Sequence, residues 1–121
     1  MIDHVGYEVA DIATSARFYD AVFYALGVRR LHDGAQAIGW GTVDPMFWIT
    51  SRNAAQPRYG HVAFRASGKA AVDAAHAAGI RAGGTDDGPP GPRRQYGPRY
   101  YAAYMRDPDG LRVEVVAHTG T

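Results

Sequence analysis

The sequence predicts an α+β domain in which one strand–helix–strands unit is used twice. Three observations carry the prediction. His4-Val5-Gly6-Tyr7 returns as His61-Val62-Ala63-Phe64, an offset of 57 residues (61 − 4). Each copy runs on into a helix-patterned stretch closed by a glycine, Gly27 and Gly79, and then into short strand-like runs. The mixed order of strands and helices places the helices on one face of the sheets. A single domain is expected over residues 1–121, since two domains would leave only about 60 residues for each core. Its first module covers about residues 1–52 and its second about 59–118.

The elements follow from local pattern. In residues 2–9, Val5, Tyr7 and Val9 alternate with His4, Gly6 and Glu8, as a half-buried strand requires. Asp11 can cap a helix whose Phe18, Tyr19, Val22, Phe23 and Leu26 recur at helical spacing, with Gly27 just past its end. Residues 28–50 read as strands and turns, with His32-Asp33-Gly34 as a turn and Met46 to Thr50 as a dense apolar strand. Residues 51–58 read as a polar linker. A strand is then expected over Tyr59–Arg65 and an alanine-rich helix from Lys69 to Ala78, ending at Gly79. Residues 83–99 hold four prolines and five glycines, which predicts a long loop. A strand over 100–106, a tight Asp107-Pro108-Asp109-Gly110 turn and a last strand over Leu111–Ala117 close the chain.

Composition excludes several function classes. Thirteen basic residues against twelve acidic ones give a net charge of +1, too little for a nucleic-acid backbone or an anionic membrane. The absence of cysteine removes disulfides, thiolate metal sites and cysteine nucleophiles. No apolar run is long enough to span a bilayer and no secretory signal is visible, so a cytoplasmic location is expected.

The strand faces carry the chemistry. If Val5, Tyr7 and Val9 pack under the helix, His4 and Glu8 point the other way. By the same alternation His61 opposes Val62 and Phe64, and Glu114 opposes Val113 and Val115. The chain has only two glutamates, and both fall on these opposite faces. Two imidazoles and a carboxylate suit Fe(II), Mn(II), Zn(II) or Ni(II), and three protein ligands leave positions open for substrate. The same pattern also fits solvated strand residues, so the residues alone leave both readings open. Arg93, Arg94 and Arg99 on the 83–99 segment can clamp a substrate carboxylate or phosphate, or simply face water. Trp40, Trp48, Tyr100 and Tyr104 are core aromatics or cavity walls, while His32, His76 and His118 read as surface residues.

The chain resembles the vicinal oxygen chelate superfamily of glyoxalase I, bleomycin-resistance proteins and extradiol dioxygenases. The resemblance rests on the opening Ile-Asp-His-Val, Asp11 with Ala16-Arg17-Phe18-Tyr19, and Gly27. It continues through Tyr59-Gly60-His61-Val62-Ala63-Phe64 to Tyr104-Met105-Arg106-Asp107-Pro108-Asp109-Gly110 and Glu114. It implies two βαβββ modules forming an incomplete barrel around a central cavity. It also implies one divalent ion (Fe, Mn, Zn or Ni) held by His4, His61 and Glu114. The fourth ligand position of the family falls on Trp48, so the set is similar to the two-histidine, one-carboxylate triad of extradiol enzymes. Tyr104, ten residues before Glu114, matches the extradiol tyrosine that assists at the substrate. Glu114 itself, or Glu8, is the candidate base for glyoxalase-like proton transfer.

The implied function is a metal-dependent lyase, isomerase or dioxygenase acting on a small substrate that chelates through vicinal oxygens. The resemblance also implies a homodimer. The alternative is a metal-free binding protein that sequesters an aromatic or drug-like ligand.

Overall fold

A computed structural model describes residues 1–56 and 60–119. The expected linker end Pro57-Arg58 and the expected strand start Tyr59 lie outside the described residues. The first module contains β1 (Val5–Glu8), α1 (Ile12–Ala25), β2 (Arg29–Asp33), β3 (Ala37–Gly41) and β4 (Pro45–Thr50). The second contains β5 (His61–Arg65), α2 (Lys69–Arg81), β6 (Thr85–Pro92), β7 (Tyr100–Arg106) and β8 (Arg112–His118). The strands form two four-stranded sheets, ordered β1-β4-β3-β2 and β5-β8-β7-β6. Both modules are therefore βαβββ, as the repeat predicts. The two sheets are separate and do not close into a barrel.

Local chemistry explains the elements. Asp11 caps α1 by accepting from the Thr14 amide at 2.9 Å, and Gly27 leaves the helix at φ +75°. The apolar stripe of α1 is buried through Phe18, Tyr19, Val22 and Phe23. Aromatic rings carry the core across the modules: Phe64 of β5 lies 4.7 Å from Phe23 and 5.2 Å from Phe47 of β4, centroid to centroid. A polar seam backs them. Tyr19 donates to Asp107 at 2.6 Å, and Asp109 accepts from the Ala10 amide at 3.2 Å.

Several elements differ from expectation, and His32 and Asp33, expected in a turn, belong to β2. The helix α2 runs through Gly79 to Arg81 instead of ending at Gly79. Gly79 is buried, and a Cβ there would lie 2.6 Å from the Met105 sulfur. Its small size serves close packing of α2 on β7, and the left-handed exit is made by Gly83 at φ +109°. The expected loop 83–99 contains the eight-residue strand β6, followed by a 3₁₀ turn over Arg94–Tyr96. Proline cannot donate to a central ladder, but β6 is an edge strand with irregular pairing to β7, where missing donors cost little.

The first strand is also shorter than expected, and Glu8 at its end has a structural task. Its carboxylate accepts from the Thr50 hydroxyl at 2.9 Å and from the Arg52 and Ala54 amides at 2.6 and 3.2 Å. The Arg52 amide is the main reason its pKa lies below the ordinary glutamate range. A depressed folded-state value stabilises the native state above the ordinary glutamate pKa and loses that contribution as pH falls through the folded value. Protection of the Arg52 and Ala54 amides against hydrogen exchange is expected to drop across that acid window. In Glu8→Gln the drop should vanish. Unchanged protection on acidification of the native protein would show that the carboxylate does not hold this segment.

Candidate functional site

The expected site residues fall into two clefts, one on each sheet. In the second sheet the ladder places Tyr104 opposite Glu114, and Ala63 opposite Glu114 on the other side. Period-two alternation puts Tyr100, Tyr104, His61, Arg112 and Glu114 on one face. They line a cleft of about 230 Å³ together with Tyr96. Glu114 is 3% exposed, and one of its oxygens lies 3.5 Å from His61 Nε2. The other accepts a hydrogen bond from the Tyr100 hydroxyl.

Two tyrosines of this cleft, Tyr100 and Tyr104, stay protonated. Burial, then the hydrogen bond to Glu114, pushes the Tyr100 phenol well above its ordinary pKa. Burial, then the charge of Glu114, raises Tyr104 as well. Both are therefore hydrogen-bond donors at neutral pH. The Tyr104 ring is fixed by a guanidinium on its face: Arg112 lies 4.2 Å from the centroid and donates to Asp87 at 2.9 Å. Arg93 lies 5.5 Å from the same ring, and its guanidinium donates to the Pro89 carbonyl at 2.7 Å.

His4 and Trp48 belong to the other cleft. His4 sits just ahead of β1, 57% exposed, with Nδ1 2.7 Å from Asp3. It lines an open, largely apolar cleft of about 350 Å³ with Gly6, Ala37, Trp48, Thr50 and Arg52. The indole of Trp48 lies flat on Gly39, where a Cβ would approach its ring to 2.9 Å. By register Trp48 holds the position in the first sheet that Glu114 holds in the second. Gly6 pairs with Trp48 in the first sheet and Ala63 with Glu114 in the second, and Gly6 and Ala63 are themselves 57 residues apart. An indole thus occupies the position where the first module would mirror the carboxylate.

One chain does not unite the expected ligands. Among the described residues no three of His, Asp and Glu are grouped closely enough to hold an ion. His61 and Glu114 are together; His4 is not with them. Glu8 is engaged by the 51–54 segment, and Arg94 and Arg99 line a cavity whose walls do not include Arg93. Sequence reasoning missed Tyr100 as the partner of Glu114 and Arg112 as the support of Tyr104. Strand alternation with Tyr104 and Glu114 was the signal available for both.

The family model for the glyoxalase/bleomycin resistance protein/dioxygenase superfamily matches residues 1–115. The chain belongs to that superfamily. A glyoxalase/bleomycin resistance protein from Albidiferax ferrireducens is 34% identical, with 95% of this chain and 97% of that one covered and a TM-score of 0.84. The fold is also that of the fosfomycin resistance protein FosX from Mesorhizobium loti, at 21% identity, 99% and 93% coverage and TM-score 0.71. A glyoxalase I variant from Zea mays shares it at 24% identity and TM-score 0.70, with 95% of this chain matching 45% of that one. No curated protein matches the chain. No helix among the described residues is long and apolar enough to cross a membrane.

Proposed function

We propose that this superfamily member is a divalent-metal enzyme acting on a small substrate that binds through two neighbouring oxygens. The observation that carries the reading is the buried Glu114 carboxylate, 3.5 Å from His61 Nε2 and held from behind by Tyr100. Two donor atoms at that spacing suit one shared ion, and a phenol fixing the far carboxylate oxygen is the outer-shell support that metal ligands receive. The donor set therefore fits a divalent ion, with the third ligand, His4, coming from a second copy of the chain. A homodimer that faces the first module of one subunit with the second module of the other provides it. When bound, the ion supplies Lewis acidity to the substrate oxygens.

The chain's own residues do the rest. The neutral Tyr104 phenol donates a hydrogen bond to a substrate oxygen as negative charge grows there. Its ring is held in place by Arg112. Trp48, opposite in the dimer, closes the site with a flat apolar wall that excludes water. Lyase or isomerase chemistry and dioxygen chemistry are both compatible with these roles. The protein's place is cytoplasmic.

Elemental analysis of protein purified from metal-supplemented cells tests the reading. About one divalent ion per chain is expected in the native protein and none in Glu114→Ala. Tyr100→Phe, which removes only the supporting phenol, is expected to weaken metal affinity about 10- to 100-fold in a chelator competition. A native protein free of metal under these conditions overturns the proposal. A second reading is favoured by Trp48 and the apolar cleft around it: a metal-free protein that stacks a flat ligand on the indole. It predicts no metal, together with quenching of tryptophan emission by an aromatic ligand that Trp48→Ala abolishes.

A further inference from the structure

A third cavity, of about 260 Å³, lies where the end of β6, the 3₁₀ turn, the start of β7 and the first residue of α2 meet. Lys69, Arg94 and Arg99 line it, with Tyr100, Tyr101 and Thr119 among the other walls. Three cations around one small cavity repel one another, a cost that a bound anion relieves. Among the described residues, none of the three has a carboxylate partner. Three other arginines are paired with carboxylates: Arg30 with Asp20 and Asp33, Arg106 and Arg112 with Asp87. Asp73 is close by on α2, but it accepts the Tyr101 hydroxyl at 2.7 Å and is not among the cavity's lining residues. The Lys69 ammonium rests 5.5 Å from the Tyr101 ring centroid. Tyr100 lines both this cavity and the His61–Glu114 cleft, so the two spaces are neighbours.

We propose that this cavity is an oxyanion subsite for a phosphate-class group. That group belongs to the same ligand whose vicinal oxygens occupy the neighbouring cleft. Only this second clause rests on the function proposed above. Charge decides for phosphate over carboxylate. One carboxylate would leave two of the three cations uncompensated, whereas a phosphate dianion leaves one. Phosphate oxygens also match the planar forks of Arg94 and Arg99, which bind in bidentate fashion.

The test titrates inorganic phosphate into the metal-free protein and follows backbone amides by NMR, with acetate in parallel at matched ionic strength. Saturable shifts are expected at Arg94, Arg99, Tyr100 and Tyr101, with acetate binding more weakly. The Arg94→Gln/Arg99→Gln double variant should bind phosphate about 100-fold less tightly, about tenfold for each charge-assisted contact. The His61→Ala variant should bind phosphate as the native protein does, so loss of the metal reading and loss of the subsite are read separately. Non-saturable shifts, equal affinity in the double variant, or tighter acetate binding overturn the subsite. For the shared ligand, the metal-loaded protein is offered glycerate and its terminal phosphate ester. The ester is expected to bind at least about tenfold more tightly than glycerate or inorganic phosphate. No gain from joining the two groups overturns the link.

Discussion

Mixing the His4→Ala and His61→Ala variants is expected to restore metal binding that neither variant retains alone. In the proposed dimer each site takes His4 from one subunit and His61 with Glu114 from the other. A mixed dimer then has one site in which both histidines are lost and one in which all three ligands are native. Random exchange of subunits makes about half of the dimers mixed, so metal content should recover to about a quarter of the native level. Unfolding and refolding the mixture, followed by elemental analysis, gives the number directly. No recovery would sink the shared site. Full metal content in His4→Ala alone would show that His4 is not a ligand. The stakes follow from coordination: with two ligands remaining, an ion is far more weakly held than with three.

Asp107→Ala is expected to be the most destabilising polar substitution. Asp107 is 4% exposed and accepts from Tyr19 at 2.6 Å and from the Asp109 and Leu111 amides at 2.9 Å each. Alanine leaves three donors in or near the core without this acceptor, each worth about 1–3 kcal/mol. Burial raises the Asp107 carboxyl above the ordinary aspartate range despite those donors, which discounts the strength of its bonds. The net loss should be roughly 3 kcal/mol, or about 10 °C in Tm for a chain of this size. Tyr19→Phe removes one of the three bonds and should cost about 1.5 kcal/mol. A urea denaturation series on both variants checks this. Equal, small effects would show that the turn does not anchor α1. The coupling matters because Asp107 belongs to the second module and Tyr19 to the first.

Much of the architecture was legible because it rests on local pattern. Strand alternation at Val5, Tyr7, Val62 and Phe64, and the helical spacing of Phe18, Tyr19, Val22 and Phe23, are written in adjacent residues. The 57-residue repeat showed that the unit occurs twice. The β6 edge was not legible, since the prolines of 83–99 forbid a central strand and say nothing about an edge. Gly79 misled for a related reason. A glycine that ends a helix and a glycine that admits a neighbouring methionine look alike until the neighbour is placed.

The candidate site divides along the same line. His61 and Glu114 could be assigned to one face from alternation alone, and register then placed Tyr104 directly across from Glu114. Sequence alone thus determined which side chains leave the core and on which strands. It could not determine whether the two outward faces meet. That depends on how the first module packs on β5 through Phe23, Phe47 and Phe64, which are contacts between residues far apart in the chain. Tertiary packing decided that His4 with Trp48 and His61 with Glu114 occupy separate clefts. It also decided that Tyr100, read from sequence only as an aromatic wall, hydrogen-bonds the buried carboxylate. Alternation is a property of neighbouring residues, whereas convergence is a property of the packed whole.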